Sequence, residues 1–340
     1  MMSRKEKMLW IFYGLILVLL FLLSSTDLII KEKETQVYAI SVIIEDSSDD
    51  NYVNFRKGMD RAAIDLNADV SFITLYDKGN RIQQEELILR EQQDGSRVLI
   101  VSPVDGEKVL ALLEDKRVSV PLILLNSEAV LTGEGISERI GFDYFQMGQE
   151  LAEQIHKDSL GQRVCLIGER KPDSVSIRFR DGILSVLKPL GYDIRFLEGR
   201  SPEEWEKAFK QMKMEDGILP VAVALDPESL LSMAVKLTEQ EAEFETETGN
   251  GEASGKDKES MVLGLYGRGN TVRLLNYLDK GMIQGLSITD DFSAGYLSVK
   301  MAVDLAENRI VEDVAYLESQ CIRREDLRRK EYEKMLYPIE

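Results

Sequence analysis

Two arginines, Arg178 and Arg180, stand near the start of a predicted helix in SVSIRFRDGIL, just past the carboxyl end of the apolar run VCLI. A guanidinium in that place can donate paired hydrogen bonds to the oxygens of a small solute, or pair with a surface carboxylate. Asp46, Asp49 and Asp50 crowd the loop after another strand. Carboxylates there can cap the following helix or receive hydroxyls and amines at a cleft mouth. Gly264, Gly267 and Gly269 are spaced Gly-x-x-Gly-x-Gly, the reverse of the dinucleotide fingerprint, and suit a tight turn beside a cleft. His156, the one histidine, falls near a predicted helix C-terminus, where an imidazole meets the last carbonyls. No HExxH, CxxC or nucleophile elbow accompanies it. The chain therefore reads as a binder, not an enzyme, with no metal and no cofactor. Cys165 and Cys321 sit in strand-like runs, VCLIG and YLESQCI, and read as buried thiols; export would permit a disulfide.

The elements that must position these groups alternate regularly. Arg97–Ser127 reads as strand, polar turn, helix, strand: Val98–Val101 is apolar without alternation, Val109, Leu110, Leu112 and Leu113 recur at helical spacing, and Pro121 opens a second apolar run. Strands are predicted at 37–44, 70–75 and 139–142, with helices at 52–66, 82–90 and 145–155. The pattern then restarts: strands at 164–167, 193–197, 218–225, 262–266, 283–289 and 314–322, and helices at 174–190, 202–212, 227–237, 271–278 and 292–305. Such alternation calls for parallel sheets covered by helices on both faces, and two series call for two lobes. In such sheets ligands bind beyond the carboxyl ends of the strands, where this chain carries small polar groups. Residues 239–260, EQEAEFETETGNGEASGKDKES, are acidic with almost no apolar side chains and read as a disordered insertion. Residues 324–340 read as a charged, helical tail.

The bulk properties narrow the function. The chain has 340 residues, a net charge of -18 and no basic helix, which argues against nucleic acid as a partner. Arg4, Lys5 and Lys7 precede an uncharged run from Met8 to Thr26, long enough for a transmembrane signal anchor with the basic flank in the cytoplasm. A cleaved signal peptide is the alternative, though a small-x-small site is poorly formed.

The order and spacing of the units from Val37 to Ile322 resemble the type I periplasmic solute-binding proteins, in particular the ribose- and galactose-binding group. Five segments carry the resemblance: IVSPVDGEKVLALL with VPLILLNS, IGFDYFQMGQELAEQI, SVSIRFRDGIL, VALDPESLLSMA and ITDDFSAG. The resemblance implies an α/β fold of two doubly wound parallel-sheet lobes joined by a hinge and closing on a solute. Its boundaries fall at 1–30 for the flank and anchor, 37–142 with 290–317 for the N-terminal lobe, and 143–289 with 318–323 for the C-terminal lobe. The implied contact residues are Asp49, Tyr52, Asn126, Ser127, Arg180 (with Arg178 as the alternative register), Leu225, Tyr266 and Thr289. The chain departs from the sugar binders where Leu225 replaces an Asn, Tyr266 an Asp, Asn126-Ser127 an Asp-Arg pair and Thr289 a Gln. The expected function is an extracytoplasmic, membrane-anchored protein that closes on a small, sugar-like solute. Its expected partner is a membrane sensor kinase or an ABC-type permease. A ligandless scaffold with a degenerate cleft is the alternative.

Overall fold

The computed structural model describes residues 3–25, 37–133, 135–197, 199, 201–248, 261–311 and 316–338. The chain divides into two units, Met1–Val37 and Tyr38–Glu340.

The first unit is one helix, α1 (Arg4–Ser25), whose side chains are almost all exposed from Met8 to Leu22. Among the described residues no helix is long and apolar enough to cross a membrane. Within α1 the charge-free stretch 8–25 rises about 27 Å at the α-helical pitch, against the ~30 Å of hydrocarbon in a bilayer. The run expected to reach Thr26 ends outside the described residues.

The second unit holds two sheets. β1 (Tyr38–Ile43), β2 (Ala68–Ile73), β3 (Val98–Val101), β4 (Leu122–Leu125) and β5 (Ser137–Ile140) form a parallel sheet in the order β2-β1-β3-β4-β5. β6 (Arg163–Ile167), β7 (Asp193–Phe196), β8 (Val221–Ala224), β9 (Gly264–Arg268), β10 (Gly285–Thr289) and β11 (Ser319–Ile322) form the other, in the order β11-β10-β9-β8-β6-β7, with only β11 antiparallel. The central strands β3, β4, β6 and β8 are buried along their whole length, which is why they read as unbroken apolar runs. The edge strands β2 and β7 are half-exposed and mix polar with apolar residues.

The helices are α2 (Val53–Leu66), α3 (Arg81–Gln93), α4 (Gly106–Glu114), α5 (Tyr144–Asp158), α6 (Ser174–Leu187), α7 (Pro202–Asp216), α8 (Pro227–Thr248), α9 (Val272–Asp279), α10 (Asp291–Ala306) and α11 (Lys330–Leu336). α10 follows the last parallel strand of the second sheet yet packs on α2 and on the first sheet. α5 follows the first sheet yet packs on α6 and beneath β10 and β11. The chain thus crosses between the sheets at 141–143, near 290 and again before β11. The crossings are stitched together: Leu317 N–H donates to Gly141 O at 2.9 Å and Asp290 N–H to Glu318 O at 3.2 Å.

One device recurs in both helix pairs. Each of the four helices carries Phe-x-x-Gly: Phe55–Gly58 in α2, Phe292–Gly295 in α10, Phe145–Gly148 in α5 and Phe179–Gly182 in α6. In each pair the Phe carbonyl of one helix lies against the glycine of the other, where a methyl group would overlap it. Glycine is therefore required for the backbones to approach so closely.

Two expectations change. The segment expected to be disordered from Glu239 is helical to Thr248, because Glu, Gln and Ala extend α8; residues 249–260 lie outside the described residues. The last strand, expected over 314–322, covers Ser319–Ile322 and leaves out 316–318, since it exists where β10 offers an antiparallel partner, Thr289 facing Ser319 to Leu286 facing Ile322; residues 314 and 315 lie outside the described residues. The tail does fold as a 3-10 turn and α11, and it buries Met335 and Leu336 against the second lobe. Cys165 and Cys321 are both free thiols. They stand on β6 and β11, with three strands between them, which rules out a bridge at the ~4.8 Å strand spacing.

Candidate functional site

The carboxyl ends of both sheets open on one cleft, with about 1050 Å³ of empty space, including the part open to solvent. On the first lobe, β1 runs into Glu45 and Asp46, β2 into the turn bearing Lys78, and β4 into Asn126. On the second, β6 delivers Glu169, β8 delivers Asp226 and Glu228, β9 delivers Arg268 and Asn270, and β10 delivers Thr289 and Asp291. Phe142 and Tyr144 enter from the first crossing, and Asp173 and Ser176 from the start of α6.

Each polar group is fixed by local chemistry. The Tyr52 hydroxyl donates to the Glu45 carboxylate, 3.0 and 2.9 Å from its two oxygens, and lies 3.4 Å from Ser102 Oγ. Asn126 adopts a left-handed backbone (φ 52) next to Gly141, where a Cβ would come within 2.8 Å of Asn126 Oδ1. Arg268 Nε donates to Leu225 O at 2.7 Å and Nη2 to Ser176 Oγ at 3.1 Å, while its guanidinium stacks 5.6 Å from the Tyr144 ring centre. Thr289 Oγ1 donates to Asp291 Oδ1 at 2.7 Å, and Asn270 Nδ2 to Thr289 O at 3.0 Å. Asp226 caps α8, accepting from Ser229 N–H at 2.7 Å and from Glu169 N–H at 3.2 Å.

The lobes also hold each other directly. Lys78 Nζ of the first lobe reaches Glu169 Oε1 at 2.7 Å and Glu228 Oε1 at 2.9 Å on the second. Burial opposes the ammonium, but the hydrogen bonds to both carboxylates win and hold its pKa above the ordinary lysine value. On another side, Arg178 lies 3.8 Å from Glu128, which also accepts from the Tyr316 hydroxyl at 3.2 Å. Burial raises the pKa of Glu45, against the hydroxyls of Ser102 and Tyr52. Burial likewise pushes Asp291 up to about 6, against the Thr289 and Asn270 hydrogen bonds.

Of the residues expected from the sequence, Tyr52, Asn126 and Thr289 come together on the cleft wall. Ser127 and Arg178 line an adjoining cavity with Arg139 and Tyr316. Asp49 pairs with Arg56 and lies outside the cleft lining. Arg180 points to Asp181, 3.6 Å away, and also lies outside it. Leu225 and Tyr266 are buried in the cores. The Tyr266 hydroxyl donates to Asp158 at 2.6 Å, at the far end of α5 from Tyr144. Arg268, on the same strand face two residues further on, is the β9 residue that reaches the cleft. Period-two alternation carried one register farther would have found it. Lys78 had no local signal, since only the other lobe makes it a partner.

The family described as Periplasmic binding protein domain matches residues 40–310. The chain belongs to this family. No curated protein matches it. Among solved structures, this periplasmic binding protein is similar to GanP, a glucose-galactose binding protein from Geobacillus stearothermophilus, at 16% identity and TM-score 0.67, covering 86% of this chain and 99% of that one. It is similar to an ABC transporter solute-binding protein from Agrobacterium vitis with bound D-fucose, at 12% identity and TM-score 0.72, covering 88% and 100%. It is also similar to a chain of the TorS sensor domain–TorT complex, at 16% identity and TM-score 0.69, covering 89% and 98%. At these identities the likeness is one of fold: two parallel-sheet lobes of the type I periplasmic binding proteins.

Proposed function

We propose that the chain is an extracytoplasmic solute-binding protein, tethered to the membrane by α1, that closes its lobes on a small polar, sugar-like solute and presents the closed form to a membrane partner. One observation carries this reading: strand ends from both lobes converge on one polar, aromatic-lined cleft that Lys78, Glu169 and Glu228 span. A guest that touches both walls favours the closed arrangement by its differential affinity. Tyr52, Asn126 and Thr289 are proposed to contact the solute, with Ser127 and Arg178 at the adjoining opening. The sugars named for GanP and the Agrobacterium vitis protein support the solute class, and the TorS–TorT complex supports a sensor kinase as partner, with an ABC-type permease as the other candidate. The uncharged run from Met8 to Thr26 behind Arg4, Lys5 and Lys7 supports the tether.

Titration calorimetry of the full chain in detergent micelles against a panel of sugars and sugar derivatives tests the binding reading. Saturable heat, reduced in Asn126→Ala and Thr289→Ala, is expected. No heat from any solute, together with a stable complex with a membrane partner, would favour the ligandless scaffold. For the tether, alkaline carbonate extraction should leave the intact chain in the membrane pellet. Release of a protein lacking the first 25 or so residues would identify a cleaved signal peptide instead.

A further inference from the structure

The cleft's charge is lopsided. Among the described residues seven carboxylates line it, against two cations, Lys78 and Arg268. Several of the carboxylates are already compensated. Lys78 pairs with Glu169 and Glu228 across the gap and lies 3.9 Å from Asp46 on its own lobe, so three carboxylates share this ammonium. Asp226 and Asp173 cap α8 and α6. Two remain on the walls of the cleft, Glu45 and Asp291, and among the described residues each is bonded only by neutral hydroxyl and amide donors. Arg268 gives its hydrogen bonds to Leu225 O and Ser176 Oγ.

Glu45 and Asp291 belong to one microenvironment. Both line the same cleft as the Tyr144 ring. A neutral guest entering here would strip water from two carboxylates and return no charge, which is costly. An ammonium returns that charge, and the rings of Tyr52, Phe142 and Tyr144 in the same lining offer it cation–π faces. The Asn126 and Asn270 side chains on opposite lobes suit hydroxyls on the rest of the guest.

We infer that the guest is a small hydroxylated amine of the amino-sugar class, whose ammonium is received by Glu45 and Asp291. This rests on the solute-binding function proposed above and names its ligand class.

The test uses the full chain in detergent micelles at neutral pH. D-Glucosamine and D-galactosamine are titrated beside D-glucose, D-galactose and N-acetyl-D-glucosamine, which have a similar shape but no positive charge. The amines are expected to bind at least about tenfold more tightly than the neutral sugars. Glu45→Gln and Asp291→Asn, both nearly isosteric, should each weaken amine binding by about tenfold, with circular dichroism verifying that each variant is folded. Neutral sugars binding as tightly as amines, or folded variants with undiminished amine affinity, would overturn the inference while leaving a solute-binding cleft intact. No binding of any of the five compounds would overturn this inference, and only silence across the wider solute panel as well would remove the solute-binding reading itself.

Discussion

At the residue scale, Asp291 and Tyr266 separate binding from stability. Burial raises the Asp291 carboxyl from 3.8 to about 6, Asp290 adds to this, and Arg268, Thr289 and Asn270 oppose it. Between those two values the folded chain binds more protons at this site than the unfolded chain. The site's contribution to stability is therefore present at low pH and is lost as pH rises through about 6. Asp291→Asn removes this dependence and should raise the melting temperature of the ligand-free protein at neutral pH by about 2–4 °C. A melting curve unchanged by the substitution at both acid and neutral pH would mean that the carboxyl is solvated as in water. Tyr266→Phe deletes the hydroxyl that donates to Asp158, itself paired with Arg323. The variant should lose about 1–2 kcal/mol of stability in denaturant titration and keep its solute affinity. A fall in affinity at unchanged stability would return Tyr266 to the cleft, where its place in the sequence had suggested it.

At the scale of elements, the two glycine-pinned helix pairs are what set the lobes. α2 with α10 and α5 with α6 use the same Phe-x-x-Gly register, and each pair joins a helix just after a crossing to one native to its lobe. Because the obstructing atoms are backbone carbonyls, side-chain rearrangement cannot relieve a new methyl group. Gly58→Ala and Gly148→Ala should each cost about 2–3 kcal/mol, measured as a shift in urea midpoint at constant slope. Gly191→Ala is a useful contrast: nothing lies near its missing Cβ, and only its positive φ of 79 resists the change. A smaller loss at Gly58 than at Gly191 would contradict the packing account.

At the scale of the whole molecule, Lys78 acts as a clasp between the lobes. Its partners lie on two different elements of the second lobe, β6's end and α8's first turn, so opening must break both contacts. Each ion pair is partly exposed and weak by itself. Their effect is on the balance between open and closed forms, which depends on small energies. Lys78→Ala should increase the radius of gyration of the ligand-free protein in X-ray scattering and lower the apparent affinity for solute, because closure then has to be driven by the ligand alone. Unchanged scattering would place the resting state elsewhere on that balance.

The alternation of strands and helices, the buried central strands and the family likeness were all legible in the residues, because burial on both sheet faces leaves a local apolar signature. Tyr52, Asn126 and Thr289, expected at the cleft, do line it: Asn126 directly follows β4, Thr289 ends β10 and Tyr52 stands in the turn before α2. Lys78, Arg268, Asp291 and the glycine-pinned helix pairs were not legible in the residues, and Tyr266 and Arg180, expected at the cleft, lie outside its lining. Those positions depend on how far a strand runs before it emerges and on which groups a second lobe brings within hydrogen-bonding distance. Such distances arise only when segments remote in sequence pack together. The sequence therefore determined two lobes with a cleft at their strand ends, and only the tertiary structure decided that the cleft is acidic and spanned by a lysine.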